Sequence, residues 1–219
     1  MEKKLKQSKG PSIVKVVLFG PESTGKTTLS TQLARHYNTV WVAEYAREYL
    51  QNKWNNQRKT CENSDLLPIA VGQMKLENKL VKKADKVLIC DTDLLETKVY
   101  SEAYYGGIVD PLLDKAAIEN TYDLYLLTYI DTPWEEDDLR DRPELRKEMF
   151  NAFESALQKY NRPYILLKGD KKTRLKMATE AIDKLLEGRD NLDSFSDNLA
   201  DIDLHFLHQN IESNTNYGL

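Results

Sequence analysis

Residues 13–19 (IVKVVLF) form an apolar block rich in β-branched types and closed by Gly20, the pattern of a strand buried on both faces. The period then changes. Over residues 27–37, Leu29, Leu33 and Tyr37 recur at four-residue steps, which predicts a helix with one face on a sheet. Residues 39–43 (TVWVA) predict a second strand leading into Glu44-Tyr45-Ala46-Arg47, and residues 51–65 are polar and read as an irregular, lid-like connection. Residues 66–84 predict a long helix with Ile69, Met74, Leu76 and Leu80 facing inward. A third strand, residues 86–90 (KVLIC), runs directly into Asp91-Thr92-Asp93.

Helices are expected over residues 94–105, stopped by Gly106-Gly107, and over residues 111–120, followed by a fourth strand at residues 122–130 (YDLYLLTYI). Dense charge around Pro133 and Pro143 predicts a mobile connection that becomes a helix up to about residue 160. A fifth strand at residues 163–168, a turn at Gly169-Asp170 and a helix over residues 173–186 complete the pattern. Strands alternating with helices imply an α/β fold, a parallel sheet of about five strands flanked by helices, with ligands at the carboxyl ends of the strands.

Between the first strand and first helix lies Gly20-Pro21-Glu22-Ser23-Thr24-Gly25-Lys26-Thr27, the GxxxxGK[ST] pattern of a P-loop. Backbone N–H groups of such a loop surround phosphate oxygens, its lysine reaches the β and γ phosphates, and its hydroxyl residue ligates Mg²⁺. Those roles fall to Gly20, Gly25, Lys26 and Thr27; Glu22, Ser23, Thr24 and Thr28 stand beside them. ATP with Mg²⁺ is the expected cofactor pair. Asp91 and Asp93, just past a strand, are placed to hold the magnesium shell or accept a hydroxyl proton, with Asp91 preferred; an aspartate there can equally cap the next helix.

Glu44, Tyr45 and Arg47 offer a carboxylate for sugar hydroxyls, a ring and a cation, a polar substrate pocket, although Glu44 and Arg47 also have the i, i+3 spacing of an exposed ion pair. Arg140, Arg142 and Arg146 could close over a transferring phosphoryl group, Arg142 above all, or form a solvated charge run. Gly169 could border an adenine ring or simply turn the chain. His205 and His208 are one helical turn apart, but no companion ligands accompany them, so no metal site is expected there.

The 219 residues carry a net charge of -4, which argues against a nucleic-acid partner. That charge is uneven: residues 187–219 carry -6 and the rest +2. The expected organisation is a basic N-terminal tail (1–12), a kinase domain (13–186) and an acidic C-terminal tail (187–219). The opening MEKKLKQSKGPS lacks an apolar core for a secretory leader and no stretch is long enough for a membrane span. With two cysteines lacking disulfide or metal spacing, a reducing cytoplasm is the expected location.

GPESTGKTT, EYAREYL, CDTDLLETKVYSE and DDLRDRPE together resemble the P-loop family of ribosylnicotinamide kinase domains found in bacterial regulators of NAD biosynthesis, also described as AAA-type ATPase domains. The resemblance spans about residues 14–186. It implies transfer of the γ-phosphate of ATP to the 5'-hydroxyl of nicotinamide riboside. It implies Gly20, Gly25, Lys26 and Thr27 as the phosphate site, Glu44, Tyr45 and Arg47 on the substrate side, Asp91 and Asp93 as strand-end acids, and Arg140 and Arg142 in the lid. Where members read Trp-Glu-Tyr this chain has Ala43-Glu44-Tyr45, so the aromatic wall falls to Trp41 on the same strand face. No HxGH adenylyltransferase signature is present among His36, His205 and His208. A kinase for another nucleoside, and a nucleotide-dependent switch acting on a protein partner, are the alternatives.

Overall fold

The computed structural model describes residues 1–8, 13–137, 139 and 143–194, with side chains up to 189. Five parallel strands form one sheet in the order β2-β3-β1-β4-β5: β1 Val14–Phe19, β2 Trp41–Val42, β3 Val87–Asp91, β4 Leu124–Thr128 and β5 Tyr164–Leu167. The helices are α1 Lys26–His36, α2 Tyr45–Gln57, α3 Asn63–Leu80, α4 Leu94–Tyr104, α5 Pro111–Glu119, α6 Arg146–Lys159 and α7 Lys171–Ser194.

Alternation along β1 explains why five of its six residues are apolar. Val14, Val16 and Leu18 face a cluster with Leu29 and Leu33 of α1 and Ala178 and Ile182 of α7. Val17 and Phe19 point the other way, among Leu95 and Val99 of α4 and Phe150 and Phe153 of α6. Both faces are covered, so the central strand is apolar except at Lys15, whose Nζ pairs with the buried Glu77 at 3.0 Å. Leu29 and Leu33, expected to be inward, are buried, and Tyr37 packs beside them.

Three expectations change. Residues 51–65 are mostly helical, because α2 continues to Gln57 and α3 starts at Asn63. Left-handed Arg58 (φ 55°) stops the first, and a reciprocal Glu62–Asp65 capping box starts the second. The polarity that suggested a loop reflects a surface helix with no fully buried residue. Residues 1–8 pack against the body: Leu5 is 1% exposed in a cluster with Met74, Leu94 and Leu113, and Gln7 donates to Glu77. At the other end, α7 passes the expected boundary at 186 and reaches Ser194; His205 and His208 lie outside the described residues. No helix among the described residues is long and apolar enough to cross a membrane.

Candidate active site

The loop after β1 is built for close approach. A Cβ on Gly20 would lie 2.7 Å from Thr128 Oγ1, and φ there is +134°, so only glycine fits. Gly25, left-handed at φ 85°, is the N-cap of α1 and supplies no capping side chain, leaving the first N–H groups of the helix for an anion. Thr24 is buried and its hydroxyl is committed to the loop itself, with Pro21 O at 2.8 Å and Thr128 Oγ1 at 2.7 Å. Ser23 joins the loop to the segment after β4: its Oγ accepts from Glu135 N at 2.8 Å, and its carbonyl accepts from Thr132 Oγ1 and Arg146. Glu22 is half-buried and Thr28 is exposed on the first turn of α1.

Lys26 is buried and its Nζ donates to Gly20 O at 2.6 Å and Pro21 O at 3.0 Å, with Glu96 Oε1 at 3.1 Å. Burial works against its charge, but Glu96 first, then Glu44 and Asp91, hold its pKa above the ordinary lysine value. Thr27 Oγ1 donates to Asp91 Oδ2 at 2.6 Å, across the gap between α1 and the end of β3. The second carboxylate oxygen, Asp91 Oδ1, is buried with no hydrogen-bond partner. Burial, reinforced by Glu44 and opposed by Lys26 and Thr27, lifts Asp91 to about 6.

An orphaned carboxylate oxygen beside a threonine hydroxyl and the phosphate-loop lysine fits a magnesium ion that takes its remaining ligands from phosphate and water. Among the described residues no group of three or more His, Cys, Asp or Glu forms a metal cage. Magnesium typically binds without one.

Asp93 stands elsewhere. It is 2% exposed; its Oδ1 accepts from Glu96 N at 2.9 Å, as the N-cap of α4, and its Oδ2 accepts from Tyr125 Oη at 2.8 Å. Of the two strand-end acids, Asp91 faces the phosphate loop and Asp93 serves as the cap. Sequence reasoning overlooked Glu96, which is 2% exposed, pairs with Lys26 and accepts from Gly20 N at 3.3 Å. Burial raises its pKa to about 8, with Lys26 opposing and Glu44 adding to the rise. Asp93-Leu-Leu-Glu96 has capping-box spacing, a local pattern that conceals the long-range role.

On the substrate side, Glu44 is half-buried at the start of α2, and its charge acts on Lys26, Asp91 and Glu96. Tyr45 N donates to Gln73 Oε1 at 2.7 Å and the Tyr45 ring lies over Gly72, where a Cβ would come within 2.0 Å of it. Arg47 pairs with Asp137 at 2.5 Å instead of with Glu44, tying α2 to the segment after β4. Trp41 is not brought to this cleft as an open wall: its side chain packs into the cluster with Leu29, Leu33 and Ile89. Arg140 and Arg142 lie outside the described residues. Arg146 holds the P-loop side of the connection through Ser23 O and Thr132 O.

Gly169, left-handed at φ 94°, donates its N–H to Asp131 Oδ2 at 2.6 Å. Its carbonyl accepts from Arg174 Nε at 2.9 Å. Arg174, 4% exposed and not flagged by the sequence, also donates to Thr24 O and Tyr129 O and pairs with Asp131. One guanidinium thus joins the phosphate loop to the ends of β4 and β5.

Known proteins show the same arrangement of chain. Over 152 residues the chain is 32% identical to the trifunctional NAD biosynthesis/regulator protein NadR of Escherichia coli K12, covering 68% of this chain and 37% of that protein. The chain therefore spans well under half of the curated relatives it matches. A crystal structure of NadR in complex with NR superposes with a TM-score of 0.66 at 25% identity, covering 79% of this chain and 50% of the other. Deoxyadenosine kinase of M. mycoides shares the fold, with a TM-score of 0.56 at 16% identity over 78% of this chain and all of that one. The model of the AAA domain family matches residues 15–174, from β1 through the phosphate loop to Arg174, and the chain belongs to that family of P-loop proteins.

Proposed function

We propose that this protein is an ATP-dependent nucleoside kinase whose acceptor is nicotinamide riboside, giving nicotinamide mononucleotide and ADP. The observation that carries the phosphotransferase reading is the Thr27–Asp91 contact of 2.6 Å beside Lys26, with Asp91 Oδ1 left without a partner. Similarity to NadR, a protein of NAD biosynthesis also seen in complex with NR, supports the choice of acceptor.

The uncapped N–H groups of α1 and the Lys26 ammonium bind the triphosphate. Thr27 and Asp91 hold magnesium, which when bound neutralises phosphate charge. Glu44, at the mouth of the site, takes the ribose hydroxyls and the proton of the attacking hydroxyl. Tyr45, fixed by Gln73 and Gly72, forms a side of the acceptor pocket. Arg140 and Arg142 supply charge for the transferring group, since planar guanidinium forks suit phosphoryl oxygens. Gly169 and the Asp131–Arg174 pair border the base of the nucleotide.

The test is ADP release by the purified chain with ATP, Mg²⁺ and a panel of nucleosides. Acceleration by nicotinamide riboside alone is expected. Acceleration by another nucleoside reassigns the acceptor, and slow hydrolysis indifferent to every nucleoside overturns the kinase reading in favour of a nucleotide-dependent switch.

A further inference from the structure

An ammonium group has three N–H donors, and those of Lys26 already have three acceptors: Gly20 O at 2.6 Å, Pro21 O at 3.0 Å and Glu96 Oε1 at 3.1 Å. Contact between Lys26 and a phosphate oxygen therefore requires one of these to be given up. The two carbonyls belong to the loop that must itself fold around the phosphates. Glu96 belongs to α4 and arrives from across the sheet.

Nothing local requires the Glu96 carboxylate. Asp93 caps the helix through Glu96 N, but the reciprocal arm of a capping box is not made; both Glu96 oxygens turn to the phosphate loop, one to Gly20 N and one to Lys26. At 2% exposure the side chain cannot swing into solvent as the half-buried Glu44 can. A triphosphate arriving at Lys26 thus meets a fixed acidic group already bound to the same nitrogen.

We propose that Glu96 is a positioning residue that sets nucleotide affinity: it holds Lys26 down against the loop and yields it when a triphosphate binds. The inference rests on the nucleotide-binding half of the proposed function and is independent of the acceptor. The competition is built into the fold, and it weakens binding in exchange for a lysine kept in place.

The experiment is calorimetric titration of the full chain with ATP and Mg²⁺, without acceptor, comparing wild type with Glu96→Gln. Glutamine keeps the shape and an oxygen for Gly20 N but removes the acidic group that competes for Lys26. The expected result is a Kd lower by about tenfold, the order of one charge-assisted hydrogen bond. An unchanged or higher Kd overturns the proposal, since a purely structural residue loses affinity when altered. A variant without a cooperative melt overturns it too, by assigning Glu96 to stability. Absence of ATP binding in the wild type removes the nucleotide reading itself, whereas binding by wild type without a gain in the variant removes only this inference.

Discussion

Arg174 Nη1 donates to Thr24 O at 2.6 Å, joining α7 to a loop 150 residues earlier in the chain. The same side chain serves Gly169 O, Tyr129 O and Asp131, so its removal takes the donor from several acceptors, of which Thr24 is buried while Gly169 and Asp131 reach solvent. Arg174→Met should lower unfolding free energy by about 2 kcal/mol, mostly through the buried Thr24 carbonyl, measured by urea denaturation. A loss below about 0.5 kcal/mol would show that the loop does not depend on this anchor.

Asp91→Asn and Lys26→Ala should each abolish most turnover while leaving a folded chain. The two should part in stability. Asp91 is buried, and burial disfavours its charge, so the neutral isostere should melt at a higher temperature, by about 1 kcal/mol or more of added stability. Full turnover by Asp91→Asn in the nucleoside assay would defeat its role.

Three buried acids predict how stability varies with pH. Asp91 and Asp93 are lifted to about 6 and Glu96 to about 8, in each case first by burial. The folded chain therefore holds these protons more tightly than the unfolded chain, and stability falls as pH rises through the interval between their unfolded and folded values. The contributions of Asp91 and Asp93 are spent slightly above their folded values, whereas that of Glu96 continues to fall up to about 8. One proton gives a slope of at most about 1.4 kcal/mol per pH unit. Urea midpoints of the wild type should decline between pH 5 and 8, and Glu96→Gln should remove the upper part of the decline. The same slope in both proteins would contradict this assignment.

Gly72→Ala tests the acceptor side. The added methyl would meet the Tyr45 ring at 2.0 Å, and the gain in helix propensity of about 1 kcal/mol cannot absorb that overlap. Tyr45 must move. The KM for the acceptor should rise several-fold with the KM for ATP little changed; equal effects on both would mean that Tyr45 does not line the acceptor pocket.

Local order along the chain carried much of this structure. The apolar run of β1, the four-residue steps of α1 and the strand-end position of Asp91 could be read directly, because burial on a two-sided sheet and helical period leave a mark in consecutive residues. So could the phosphate loop, whose glycines are demanded by backbone angle and by the approach of Thr128. What only the tertiary structure decided are the partners of charged groups brought together from distant segments. It separated Asp91, which reaches Thr27, from Asp93, which caps α4 and meets Tyr125. It gave Arg47 to Asp137 instead of the neighbouring Glu44, and placed Trp41 among apolar side chains. Glu96 and Arg174 reach the phosphate loop because α4 and α7 pack on opposite faces of the sheet, and no local spacing records that. A carboxylate or guanidinium has the same appearance in sequence whether it is solvated or buried. Its role is fixed by the dielectric and the partners that packing supplies.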